Sequence, residues 1–450
     1  MREIIDRLIL LTALFLFANC VGHLETVQIS VSIGTEDNPL RIPLSIRFNR
    51  ECSYWVEYWK DGGEVVRTST AQSNGRSGSA TLMFLYPEMS YHFRVCATLD
   101  GKVFKSEESM FTTGSIPFGV PRYPVDIDNS KRELPGLILQ SSASTPGFVT
   151  FCDFDGQVVW YQRFDQPVRQ VSFNPSTGTL LLNLGFRFSS TGDLQRVAEK
   201  TVMIDLKGNV LLERIAGDGY LDYPHHEIIQ MPDGNILALH NTTRRFDLSS
   251  MGGEVDTEIF GEGFTIFDES GASVWSWDCF SCLDPLRDIS VKPIINAMDL
   301  MHANSVCWDV NGDYYISFNK LNEFWKIGKK GNMLYRAKCN TEGIHSLVAL
   351  SPDRILLLDN GRTTGFSRAV IVGADPESGD VTEEFSVSFP HEYCSINRSN
   401  VDYHPDIDLM MFCSTVRCAL VFTDLEGNIL KVLKREDISY RAYYYDSIEY

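Results

Sequence analysis

The sequence has no cluster of lysines and arginines, no GxxxxGK[ST] loop, and no hydrophobic run beyond its first eighteen residues that is long enough to cross a bilayer. Each absence removes a class of function. Lys and Arg number 40 against 59 Asp and Glu, a formal net charge of -19, so no basic face is expected for a nucleic-acid backbone. Lack of the glycine-rich loop argues against a Walker-type phosphate cradle. The acidity itself reads as solubility. Histidine is scarce, at nine residues in 450, so any repeated placement of it is informative. What remains is globular in character: 44% apolar and 12% aromatic residues, in a chain long enough to bury a large core.

The N-terminus reads as an export signal over residues 1–22. Arg2 and Arg7 precede the apolar run Leu8 to Ala18, which is too short for a span. Its end, Phe17-Ala18-Asn19-Cys20, resembles the loose lipobox of bacterial lipoproteins. That resemblance implies a lipid anchor at Cys20; plain cleavage near Gly22 is the alternative. Either route predicts a periplasmic or membrane-surface protein. In such an oxidising compartment Cys279-x-x-Cys282 and Cys413-x4-Cys418 read as local disulfides rather than zinc or redox pairs.

An all-β chain is expected. Residues 23–114 alternate in short segments such as LRIPLSIRF and YHFRVCA, as in a β-sandwich. The pattern Leu85-x-Pro87-x3-Tyr91 resembles the tyrosine corner of fibronectin type III and Ig-like modules. A linker over residues 115–133 follows, stiffened by Pro117, Pro121 and Pro124. From residue 134 to 450 six hairpins recur, from VTFCDFDGQVVWY to ALVFTDLEGNILKVL, with turn glycines roughly 50 to 60 residues apart. That spacing fits one four-stranded blade each, a six-bladed β-propeller. The C-terminal YRAYYYDSIEY and the early GLILQSS are the segments left to close the ring.

Three strands of this repeat begin with histidine: His225-His226-Glu227, His302 ahead of Asn304, and His345. If the first strand of each blade lines the central channel, these side chains converge at its mouth, as an active site would require. A three-histidine zinc site is the rival reading, with Glu227 the one evident carboxylate to orient a ligand.

These strands resemble those of the bacterial arylsulfate sulfotransferases. The family shows an HHD/E strand, a D-W-x-H-x-N-S-V strand ending in I-x-S-x-R, and a Q-H-D strand leading to a D-N-G turn. Here stand His225-His226-Glu227, Asp299-x-x-His302-x-Asn304-Ser305-Val306, and His345 with Asp359-Asn360-Gly361; Ser367-Arg368-Ala369-Val370 matches the strand after that turn. The resemblance implies nucleotide-independent transfer of a sulfuryl group from an aryl sulfate donor to a phenolic acceptor, with no cofactor and no metal. His345 would be the nucleophile that becomes a sulfohistidine. His302, His226 and His225 would handle protons, and Asn304 and Arg368 would bind substrate. The family's arginine after I-x-S-x falls on Asn319, next to Lys320, and only one of these two can face inward along a strand. That departure keeps two alternatives in view: a weakly catalytic or non-catalytic propeller that binds sulfated or phenolic ligands, and a zinc-dependent hydrolase. Oligomeric state stays open, a homodimer included.

Overall fold

The computed structural model describes residues 26–186, 197–288, 300–448 and 450. The expected export signal with Cys20, and Asp299 of the central histidine motif, lie outside these. Among the described residues the chain is all-β. Strands alternate with short 3-10 turns, and no helix is long and apolar enough to cross a membrane. Two compact units divide it: one runs to Met83 and takes in Glu88–Ser115, the other comprises Phe84–Pro87 and Ile116–Tyr450.

In the first unit Ile29–Ile33, Ile42–Phe48 and Ser77–Leu82 form a three-stranded antiparallel sheet, and Ser53–Lys60 and Ser90–Leu99 pair at the heart of a six-stranded one. Period-2 patterning drives this. Leu44, Ile46 and Phe48 are buried while Ser45 and Arg47 between them are exposed. Tyr91 is buried and stacks on Phe111 at 5.4 Å between ring centroids.

The second unit is a propeller-like succession of antiparallel sheets. Val168–Asn174, Thr179–Leu184, Lys200–Asp205 and Val210–Ile215 form one; Pro224–Gln230, Ile236–Phe246, Thr257–Phe267 and Ser273–Asp278 form the next. Two more begin at Ala303–Trp308 and Ile344–Ser351. A fifth runs outward from Asn400–His404 through Leu409–Ser414, Ala419–Thr423 and Ile429–Lys434. Middle strands such as Thr179–Leu184 and Leu409–Ser414 are buried at every residue. Neighbouring sheets cover both of their faces, which is why they read as unbroken apolar runs rather than alternating ones. One cluster, for example, interleaves Leu237 and Phe264 with Ile316 and Trp325 from the next sheet.

Turn chemistry sets the outer hairpins. In the first and last of them, Asp153 and Asp424 accept backbone N–H groups two and four residues on, and Gly156 and Gly427 take φ of 73° and 90°. Only glycine adopts that region without strain. At Gly156 a Cβ would also lie 1.8 Å from the Tyr123 carbonyl oxygen.

The remaining sheet joins both ends of the unit. Leu137–Ser141, Gly147–Cys152 and Val158–Phe164 are completed by C-terminal Ala442–Tyr445, with Leu137 opposite Tyr445 and Ile138 opposite Tyr444. Part of the expected linker is also a strand: Val125–Asp128 pairs with Ile429–Lys434. It covers what would otherwise be an open sheet edge.

Disulfides do not form between the close cysteine pairs. All ten described cysteines are free. Each sulfur of the expected pairs turns to a polar neighbour instead. Cys279 accepts the Glu262 N–H at 3.3 Å, and the Cys282 thiol aims at the Cys279 carbonyl at 3.5 Å. Cys413 accepts from Arg435 at 3.3 Å, and Cys418 donates to the Thr415 carbonyl at 3.7 Å.

Polar contacts near the axis bind the inner strands to one another. Glu227, 2% exposed, pairs with Arg441 beside the closing strand and accepts from Gln170 at 3.2 Å and Ser305 at 2.8 Å. Arg441 also donates to the Asn304 carbonyl at 2.8 Å, and Ser305 Oγ accepts the Leu347 N–H at 3.0 Å. Burial, the largest single influence, opposes the charge on Arg441, but Glu227 together with Tyr443 and Tyr440 outweighs it and holds the guanidinium well above its ordinary range. Removing one member of such a pair strands the other in low dielectric. Arg441→Leu should therefore cost about 3–5 kcal/mol in urea unfolding, and truncation after Lys434, which deletes the closing strand as well, should cost more.

Candidate active site

A cavity of about 390 Å³ opens where the inner strands begin, lined by His226, His302 and His345 together with Arg169, Arg362 and Arg398. Successive residues of a strand face opposite ways, so a regular ladder would not present these groups together. The first strands are irregular at the same level. Register shifts fall between Val168 and Gln170, Pro224 and Ile228, Ala303 and Ser305, and His345 and Leu347. His226, His302 and Ser346 take positive φ of 52°, 60° and 58°. Bulges of this kind re-aim side chains, and left-handed backbone at non-glycine residues concentrates at functional sites.

His345 is 3% exposed. Its Nε2 accepts the Arg398 backbone N–H at 3.2 Å. A backbone donor cannot reverse, so in a neutral ring the proton is on Nδ1, where the side-chain amide oxygen of Asn360 accepts it. Asn360 is itself oriented by donating to the Ser395 carbonyl at 2.6 Å. Burial, with the charges of His302, Arg441 and Arg362, pushes the His345 pKa down to about 3 despite the Asn360 bond. The imidazole is neutral at physiological pH, and its free electron pair is on Nε2.

Of the adjacent pair, His226 faces the cavity, 5.2 Å from the His302 ring and 5.6 Å from the Tyr440 ring between centroids. His225 is behind it, with Nδ1 2.7 Å from His226 Nδ1 and Nε2 3.1 Å from Glu262. The carboxylate that orients a histidine is thus Glu262. Glu227, the residue the sequence suggests for that role, is committed to Arg441. Burial first, then the neighbouring His225, His302 and Arg169, holds His226 well below its ordinary pKa.

Two other expected contacts lie elsewhere. Asn304 is fully buried and not part of the cavity lining, donating to the Ile344 carbonyl at 2.8 Å and accepting from Ser317 at 2.7 Å. Arg368 pairs with Asp359 at 2.9 Å and Glu383 at 3.3 Å. Asn319 is buried beside His345, its Nδ2 3.2 Å from Nδ1, whereas Lys320 is exposed and absent from the lining. The amide oxygen of Asn319 accepts from Arg362 at 2.6 Å. Arg362 follows directly on the Asp359-Asn360-Gly361 turn and brings a guanidinium beside the site where Asn319 replaces the expected one. Sequence reasoning passed over Arg362 and also over Tyr440, which lines the cavity with its hydroxyl buried and whose pKa burial raises. The arginine directly after Asp359-Asn360-Gly361 was a usable signal; Tyr440 offered none.

Among the described residues no Asp or Glu lines the cavity, and Arg362 and Arg398 have no carboxylate partner. In a chain of net charge -19 this is a local reversal of sign, suited to an anion. No group of three His, Cys, Asp or Glu side chains among the described residues is arranged to hold a metal ion, so the zinc reading gains no support.

The depressed histidine has a consequence for stability. An unfolded histidine takes a proton near pH 6.5, and folded His345 refuses one until about pH 3. Its contribution to stability is therefore complete above pH 6.5 and is lost progressively as the pH falls from there toward 3. That one residue should add a slope of up to about 1.4 kcal/mol per pH unit, and His345→Gln should flatten the fall in urea-unfolding free energy between pH 6.5 and 4.

Residues 125–338 match the family model described as Arylsulfotransferase (ASST). No curated protein matches the chain. Similar solved structures include the Dos1 propeller, at 9% identity over 70% of this chain and 75% of that one, with a TM-score of 0.37. The virginiamycin B lyase of Staphylococcus aureus is 11% identical over 70% of this chain and 98% of its own, at a TM-score of 0.36. An auxiliary nutrient binding protein from Bacteroides ovatus is 9% identical over 91% of this chain and 86% of its own, at 0.37. These scores are too low to establish a shared fold. The match to the arylsulfotransferase family model takes in the strand that carries His225 and His226, and His302 at the head of Ala303–Trp308.

Proposed function

We propose that the protein moves a sulfuryl group from an aryl sulfate to a phenol, with His345 carrying the group between them. The observation behind this reading is the cavity itself, with its neutral histidine, its three arginines and its lack of a lining carboxylate, in an acidic chain that matches the arylsulfotransferase family model. In the first displacement His345 Nε2 attacks sulfur, an N–S bond forms, and the S–O bond to the aryl group breaks. The aryloxide takes a proton from His302. In the second, a phenol oxygen attacks the same sulfur, the S–N pair returns to His345, and the phenol's proton passes by way of neighbouring His226 back to His302. The Arg398 N–H on Nε2 has to give way to the substrate.

Arg362 is the guanidinium we assign to the sulfuryl oxygens. Its charge is delocalised in a planar fork that matches them, and Asn319 holds one end of that fork. The same reading takes the consecutive sheets as six blades, the first unit as an Ig-like sandwich, and the N-terminus as an export signal.

His345→Ala should abolish both turnover of a chromogenic aryl sulfate and the sulfated peptide that accumulates when no phenol is present. Turnover surviving in that variant would sink the covalent mechanism. Arg362→Ala should lower kcat/KM about 10²-fold, the scale for losing one preorganised donor at a site of developing charge. Lys320→Ala, by contrast, should change it by less than about threefold, as for a surface substitution.

A further inference from the structure

Behind the cavity, on Thr257–Phe267, a single carboxylate touches the supports of two cavity histidines. Glu262 is 1% exposed. Its Oε1 accepts the backbone N–H of Ala303, the residue after His302, at 2.9 Å. Its Oε2 accepts from Asn241 at 3.1 Å and lies 3.1 Å from Nε2 of His225. The strand is shaped to admit it. A Cβ at Gly261 would sit 2.6 Å from the Cys279 sulfur and the Phe280 ring, and one at Gly263 would sit 2.7 Å from the Trp277 carbonyl oxygen. A side chain at either glycine would force the strand that carries Glu262 to shift.

Proton positions follow from this contact. Both carboxylate oxygens already accept N–H groups, so the proton between Glu262 and His225 belongs on His225 Nε2. Neutral His225 then has a bare Nδ1, which can only accept from His226 Nδ1–H at 2.7 Å. His226 is left with its lone pair on Nε2. The groups whose charge bears on it directly are His225, His302, Arg169 and His345, all basic, with the Tyr440 ring 5.6 Å away. Positive charge that forms on His226 can be relayed through His225 to Glu262.

We propose that Glu262 is a positioning residue which, through His225, fixes His226 in the Nδ1–H tautomer and makes its Nε2 the proton acceptor of the cavity. The use made of that acceptor rests on the sulfuryl-transfer reading: when phenol attacks the sulfohistidine, its proton passes to His226 Nε2, and hydrogen bonds from His225 to Glu262 stabilise the imidazolium.

Nitrogen-15 NMR of the histidine-labelled full chain at neutral pH tests this without any variant, His226→Gln serving to assign the resonance. The expected result is a protonated Nδ1 and a bare Nε2 on His226; a protonated Nε2 in the wild-type protein overturns the proposal. Glu262→Gln keeps the shape but sets an amide N–H2 against one of the fixed donors. The Ala303 N–H cannot reverse, so the Gln oxygen stays on it and the N–H2 meets Asn241 and His225; with His225 reversed to accept at its Nε2, the proton of His226 should move to Nε2. The same substitution should slow phenol-dependent release of the sulfuryl label at least tenfold more than it slows labelling of His345. Equal slowing of both half-reactions would make Glu262 a merely structural residue. If aryl sulfate leaves no label on the wild-type chain while the tautomer is as expected and switches in Glu262→Gln, sulfuryl transfer is wrong and the role of Glu262 stands.

Discussion

The buried pair of Glu227 and Arg441 is the constraint on which the second unit depends. Arg441 directly precedes the last strand of the chain, and Glu227 is on a strand more than two hundred residues earlier. Their contact, with Gln170, Ser305 and the Asn304 carbonyl around it, draws inner strands of successive sheets onto one buried cluster. A buried ion pair contributes little net stability compared with apolar residues of the same shape, because desolvation consumes most of the attraction. What it supplies here is a condition: the charges are tolerable only when the closing strand is in place. The polar cluster therefore works as a register device, while the apolar contacts between sheets stabilise them.

Closure of the ring in turn makes the cavity. His226, His302 and His345 come from three different sheets, and each reaches the cavity through an irregular step in an inner strand. Twisted antiparallel strands feeding a common axis leave little room there, and a bulge is the inexpensive way to turn a side chain into what room remains. Positive φ at His226 and His302 costs backbone energy, which the surrounding ladders can hold.

The charge pattern separates site from surface. Acidic residues outnumber basic ones in the chain, yet Glu227 and Glu262 stand behind the cavity wall, Glu227 against Arg441 and Glu262 against His225. Neutral imidazoles and guanidinium groups line the wall. An anion would meet positive charge at the wall, while the compensating acids stay buried behind it.

Much of the fold was legible in the sequence because it is local. Glycine in the Asp153–Gly156 and Asp424–Gly427 turns, apolar runs such as TLLLNL, and the spare segments at both ends each act over a few residues, and their recurrence implied repeated sheets. The three cavity histidines were legible for the same reason, since each heads a strand of the repeat. What only the tertiary structure decided is which side chains face which way. The bulges turn His226 inward and His225 outward, commit Asn304 to backbone, and expose Lys320. Arg362 and Tyr440 meet His345 and His226 at the cavity from turns far along the chain, and the cysteines stand apart because their sulfurs face other partners. Pattern along a chain records which residues repeat and which are apolar; the direction of a side chain at an irregular step depends on neighbours that arrive from other sheets.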